Sequence, residues 1–172
     1  MKRLTNLLIL CACILFANAQ DIKLKDVNSS NTWFKLGLNA GVPVADVADV
    51  SSFALGVDLS VQYLPTKAYG YGLKAGYTNY FGKDPAEDFS AIPLAVLFRF
   101  YPESTGFFAG AEVGYAFLNN VAGTSGGWTY RPHIGWHTDN WNFFGYFDHI
   151  MTEENVSDIQ TVGLGVTRNV RF

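Results

Sequence analysis

From Phe53 to Tyr63 the chain reads F-A-L-G-V-D-L-S-V-Q-Y, and every second residue is large and apolar. Phe53, Leu55, Val57, Leu59, Val61 and Tyr63 alternate with Ala54, Gly56, Asp58, Ser60 and Gln62. A strict period of two predicts a β-strand with two unlike faces. Its length matches the roughly 9–11 residues that a tilted strand needs to cross a bilayer. The pattern recurs. Thr32–Gly41 is the first predicted strand and Phe53–Tyr63 the second. Tyr69–Tyr80, Ser90–Tyr101, Phe107–Leu118, Gly127–His137, Trp141–Ile150 and Asp158–Phe172 follow as the third to the eighth. The register of Trp141–Ile150 stays open, because both of its faces carry aromatics.

The connections alternate in character. Residues 42–50, 82–88, 119–126 and 151–157 form loops of several residues. Residues 64–68, 102–106 and 138–140 are tighter turns carrying Pro, Gly or Asp-Asn. Longer loops at one end and turns at the other are the signature of an up-and-down outer-membrane barrel. A soluble barrel also alternates, but it would have to hold most of the Phe, Tyr, Trp and Leu inside and show a largely glycine surface. Inverting it removes the conflict: large apolar side chains meet lipid, and Gly, Ala, Ser and Thr fill a narrow lumen. Closure also satisfies the backbone where no water can. The predicted fold is therefore all-β, an eight-stranded antiparallel up-and-down transmembrane β-barrel.

This face assignment places Lys35, Asp58, Lys74, Arg99, Glu112 and Arg131 in the lumen, where they are expected to pair across strands. Asp148 joins them if the register of the seventh strand permits. Trp33, Tyr63, Tyr69, Phe100, Phe107, Phe117, Trp128 and Trp136 fall near strand ends, where interfacial aromatic girdles are expected. Two features resist. Pro93 and Pro132 lie inside strands, which predicts bulges near the loop-side rim. Arg168 has lipid-facing parity, which calls for snorkelling or a bulge.

Composition adds an export route. Lys2 and Arg3, the short apolar run Leu7–Phe16 and Ala17-Asn18-Ala19 read as a cleaved signal peptide over residues 1–19. Residues 20–31 are then a short polar periplasmic leader and residues 32–172 the barrel. Cys11 and Cys13 both lie in the signal, so the mature chain is expected to lack thiol chemistry. Losing Lys2 and Arg3 from 12 basic residues leaves 10 against 15 acidic ones. That balance, without a basic cluster, argues against nucleic acid.

The chain resembles the small outer-membrane β-barrel family typified by OmpA and OmpX. The residues that carry the resemblance are Ala17-Asn18-Ala19, Ile92-Pro93-Leu94, Gly114-Tyr115 and Val162-Gly163-Leu164-Gly165-Val166 with a terminal Phe172. The resemblance implies location in the outer membrane of a diderm bacterium, with the mature termini in the periplasm. It implies that Phe172 is part of the signal read by the outer-membrane assembly machinery. It also implies contact with periplasmic chaperones, outer-membrane lipid and lipopolysaccharide, as a monomer.

Candidate chemistry is sparse. His133 and His137 share a face but lie about 13 Å apart along a strand, so they read as lumen hydrogen-bonding groups rather than a metal site. His149 lies near the loop rim before Thr152, Glu153 and Glu154. A lipid A deacylase barrel uses a rim His with a Ser two residues on; here that position is Met151. The outer loops carry Asp46, Asp49, Asp84, Glu87, Asp88, Glu153 and Glu154, which read as solvated charge, with divalent cations or a surface partner as the alternative. No cofactor site is expected. The sequence thus predicts a non-enzymatic barrel with a structural or surface-interaction role and a side-chain-filled lumen. A lipid A-modifying outer-membrane enzyme and a small solute pore are the alternatives.

Overall fold

A computed structural model describes residues 31–152 and 156–170. The signal peptide, the leader up to residue 30, Glu153, Glu154 and Phe172 lie outside the described residues.

Eight strands form one closed antiparallel ladder: β1 Thr32–Val44, β2 Ser51–Tyr63, β3 Tyr69–Gly82, β4 Phe89–Phe100, β5 Gly106–Asn119, β6 Gly126–His137, β7 Trp141–Met151 and β8 Ile159–Val170. Each pairs with its sequence neighbours, and β1 closes on β8 from Phe34↔Val170 to Val44↔Gln160. Strands of 11 to 14 residues meet or exceed what a tilted crossing needs. β1 runs past its predicted end at Gly41 to Val44, and residues Ala45–Asp49 form a 3-10 turn instead of an open loop. Pro43 fits the longer strand. The β1–β2 pairing ends at Gly41↔Ala54, so the missing N–H of Pro43 faces no ladder while its other side pairs with Thr161.

Side chains divide as the alternation predicts. Leu36, Leu38, Leu73, Val96 and Leu164 stand on the outer wall, each more than half exposed. Lys35, Asp58, Lys74, Arg99, Glu112 and Arg131 are buried inside. The open register of β7 resolves with Asn142, Phe144, Tyr146, Asp148 and Ile150 inward and Phe143, Phe147 and His149 outward. Among the described strand residues, Arg168 is the sole Asp, Glu, Lys or Arg on the outer wall. It stays in register with Leu36 and Trp141, and its guanidinium lies 5.6 Å from the centre of the Trp141 ring. A cation–π contact near the strand end accommodates it, with no bulge.

The prolines correct an expectation. Neither Pro93 nor Pro132 sits at a bulge. The β3–β4 ladder passes from Ala75↔Leu94 to Thr78↔Ala91 without a change of register, leaving two rungs open at Pro93. The β6–β7 ladder does the same at Pro132, between Tyr130↔His149 and His133↔Tyr146. A missing N–H removes the local bond, but the side-chain alternation on both flanks holds the register. The register shift among the described strands lies between Ser51 and Phe53 on β2.

The girdle holds except at Trp33. At the turn end, Tyr69 packs on Phe100 with ring centres 5.3 Å apart. At the loop end, Phe53 stacks on Phe81 at 4.3 Å and Tyr115 meets Trp128 at 6.1 Å. Trp33 instead shares the parity of Lys35 and turns to the lumen mouth, with the Lys35 ammonium 5.4 Å from its ring centre. Its place near a strand end suggested the girdle; its parity overrules that.

A ladder closed on itself leaves no edge for detergent to open. The folded protein is therefore expected to run at a different mobility from the boiled protein in SDS gels. Identical mobility of the two samples would contradict the closed barrel.

Candidate functional site: the filled lumen

The lumen is stacked in layers. At the loop end, Val47 from the 3-10 turn drops into the mouth and packs with Ala54, Tyr80, Phe89, Ala91, Ala116, Leu118, Ile150 and Ile159. Tyr80 and Phe89 stack there at 4.5 Å. The sequence places Val47 in the loop 42–50. Alternation cannot flag a residue that reaches the lumen from outside a strand.

Below this plug lies the charge network. Lys74 Nζ donates to Glu112 Oε2 at 2.6 Å and contacts Asp58 Oδ1 at 3.1 Å outside hydrogen-bond geometry. Arg131 Nη2 donates to Asp148 Oδ2 at 2.6 Å, and its Nη1 lies 3.5 Å from Asp58 Oδ2. Asn39 donates to Asp58 at 2.9 Å and Thr129 to Asp148 at 3.0 Å. The Arg131 guanidinium also lies 4.7 Å from the Tyr146 ring centre. Adjacent glycines leave room for this layer: a Cβ on Gly76 would stand 2.7 Å from Asp58 Oδ1. Two cations thus face three carboxylates, all almost wholly shielded from solvent.

Lys35 and Arg99 do not join the network, contrary to the expected pairing. Each sits one inward-facing step nearer the turn end. Lys35 is opposite Ser60 where Asp58 is opposite Gly37, and Arg99 is opposite Gly110 where Glu112 is opposite Leu97. That step is about 7 Å along a strand. Aromatics occupy the gap: the Arg99 guanidinium lies 4.9 Å from the Phe108 ring centre and 5.4 Å from that of Phe144. His133 bridges the two levels, accepting from Arg99 Nε at 3.1 Å and standing 4.0 Å from Glu112 Oε1. It serves the lumen hydrogen-bonding role expected of it. Among the described residues no group of three His, Cys, Asp or Glu is placed to hold a metal ion.

On the outer wall at the loop end, His149 sits between two partners. Its Nδ1 lies 2.8 Å from the Tyr130 hydroxyl and its Nε2 2.8 Å from Asp158 Oδ2. Asp158 Oδ1 also accepts the Thr152 amide at 2.9 Å. Asp158 therefore clasps both ends of the β7–β8 connection. Tyr130 lies 19 residues from His149, and Asp158, expected to open the eighth strand, stands just before β8 and turns back to the rim, so the grouping had no sequence signal.

No family model matches the sequence, and no curated protein does. Solved structures do match. The outer membrane enzyme PagL superposes with a TM-score of 0.63 at 17% identity, covering 77% of this chain and 97% of that one. The fold is that of a small outer-membrane β-barrel. The N-terminal barrel domain of Pseudomonas aeruginosa OprF matches with a TM-score of 0.55 at 19% identity, over 81% of this chain and 98% of that one. The outer membrane protein OprG from the same organism gives 0.55 at 13%, over 83% and 97%. These neighbours support an outer-membrane location for a barrel of this kind. One is an enzyme, so the shared fold leaves the activity undetermined.

Two outcomes follow for a small outer-membrane barrel built this way. Lys74→Met leaves Asp58, Glu112 and Asp148 facing Arg131 alone in a shielded layer and is expected to cost roughly 3–5 kcal/mol in reversible unfolding from liposomes. Lys67→Ala, on an exposed turn, should stay within about 0.5 kcal/mol. The second outcome concerns pH. The hydrogen bond from His149, helped by the Thr152 amide against a desolvation that opposes them, holds the Asp158 carboxyl below its usual value. A depressed folded pKa stabilises above the unfolded value and is lost as pH falls through the folded one. The protection factor of the Thr152 amide, taken against its intrinsic exchange rate, should therefore be high at neutral pH and fall once the pH drops below the ordinary carboxylate range near about 4. Asp158→Asn should weaken that protection even at neutral pH.

Proposed function

We propose that this chain is a non-enzymatic integral protein of the outer membrane, with a structural or surface-interaction role and a lumen closed by its own side chains. The observation that carries this reading is the layered lumen, where an apolar plug, a charge network and an aromatic layer follow one another along the axis. Such a filling favours a sealed barrel over a solute pore. In this reading residues 1–19 direct export, the turn end faces the periplasm and Phe172 contributes to the assembly signal. The barrel is monomeric and meets lipopolysaccharide on its outer wall. The loop end offers a partner only a narrow rim, because the connections 45–50, 83–88, 120–125 and 152–158 are short. Structural service in the membrane therefore ranks ahead of adhesion.

A second reading, a lipid A-modifying enzyme, is favoured by one observation: the Tyr130–His149–Asp158 chain on the lipid-facing rim. A hydroxyl bonded to an imidazole that is held by a carboxylate is a nucleophile–base–orienter arrangement. Against it, a phenol is a far weaker nucleophile than an activated serine hydroxyl, and Met151 stands where a serine would be needed. The clasp on the β7–β8 connection accounts for the same contacts.

Planar-bilayer recording of the purified barrel is expected to give no stable unitary conductance. Lipid A from a deletion strain is expected to have the same mass spectrum as that of the parent. A conductance abolished only by blocking the lumen would install the pore reading. A mass change reversed by the wild-type gene but not by His149→Ala would install the enzyme.

A further inference from the structure

Among the described residues, the turn end of the lumen holds two buried cations and no buried carboxylate. Lys35 is fully buried and Arg99 is 2% exposed. Lys35 Nζ has two long, neutral partners, the Tyr101 hydroxyl at 3.3 Å and Asn142 Oδ1 at 3.4 Å. Arg99 spends Nε on His133, while its Nη1 is buried without a partner. Gln62 is fully buried as well; its Oε1 accepts from Tyr101, and its Nε2 is unpartnered. The buried His137 leaves Nε2 unpartnered too.

These groups converge on one side chain. The Tyr101 hydroxyl touches Lys35 and Gln62, its ring meets His137 at 4.8 Å, and it packs at 5.8 Å on the Phe108 ring that carries Arg99. Glycines in the wall let these side chains lie flat against it: a Cβ on Gly70 would collide with the Gln62 amide, and one on Gly110 would stand 2.9 Å from Arg99 Cγ. Buried charge of one sign is tolerated only when it is countered. The layer above holds one carboxylate more than its two cations, which offsets one of the two charges from a step away and leaves the other uncountered.

We propose that the lumen binds a single halide-sized monovalent anion at its turn end, held by Lys35, Arg99 Nη1 and Gln62 Nε2 beside His137. An eight-stranded lumen has room for little beyond side chains, which selects a chloride-like ion over a carboxylate ligand or a phosphate ester. The donors are all N–H groups, as an anion requires. The ion neutralises one of the two charges and gives the orphan donors a partner.

Crystals of the wild-type barrel grown in bromide test this directly. An anomalous peak among Lys35, Arg99 and Gln62 is expected. Peaks confined to the protein surface, an adventitious ion only, would overturn the proposal, as would an ordered water in that place. Thermal unfolding in micelles gives an independent readout at constant ionic strength, with bromide replacing gluconate. Linkage predicts that the logarithm of the folding constant rises with the logarithm of bromide concentration, with a slope reaching about one above Kd. Arg99→Met and Lys35→Met should flatten that slope. Lys74→Met, in the layer above, should lower stability and keep the slope. Equal slopes in wild type and Arg99→Met would sink the idea even if both fold well.

Discussion

Closure of the ladder is the constraint on which everything else here depends. A strand in lipid must find hydrogen-bond partners on both sides, and only a sheet joined to itself supplies them without an edge. Joining β1 to β8 does this with eight strands. Closure then fixes two surfaces of opposite demand. The outer wall must be apolar over the depth of the bilayer. The inner wall encloses a space so narrow that the side chains entering it decide whether anything else can.

The fold was legible because this demand is written in period two. Leu55, Val57 and Leu59 against Gly56, Asp58 and Ser60 report strand, face and register at once. The open rungs at Pro93 and Pro132 show why local breakers misled. A proline deletes one bond, yet the flanking residues still have to keep lipid-facing and lumen-facing sets apart, so the register survives. Position along a strand was a weaker guide than parity. Trp33 sits near an end, as a girdle residue should, but its parity turns it inward.

The lumen was legible only as a set of residues. Alternation identified Lys35, Asp58, Lys74, Arg99, Glu112 and Arg131 as companions. It could not say at what height each stands, because that depends on the stagger between strands. One step along the axis separates Arg99 from Glu112, and that step decides between an ion pair and a stack on Phe108. Contacts from outside the strands were invisible for a similar reason. Val47 and Asp158 lie in connections, where no periodicity constrains which way a side chain turns.

Arg168 on Trp141 carries a consequence for how the protein sits in its bilayer. A guanidinium at the acyl-chain level is costly, and an indole favours the headgroup boundary. Together, close to the turn end of neighbouring strands, they mark one latitude on an outer wall whose other described strand residues carry no Asp, Glu, Lys or Arg. The barrel therefore carries its own waterline. Drawing the turn end into the bilayer would drag a charge into oil, and pushing it out would carry apolar rows such as Val166 into water. Vertical position is thereby marked by one pair of side chains beside the aromatic girdles, independently of what fills the interior.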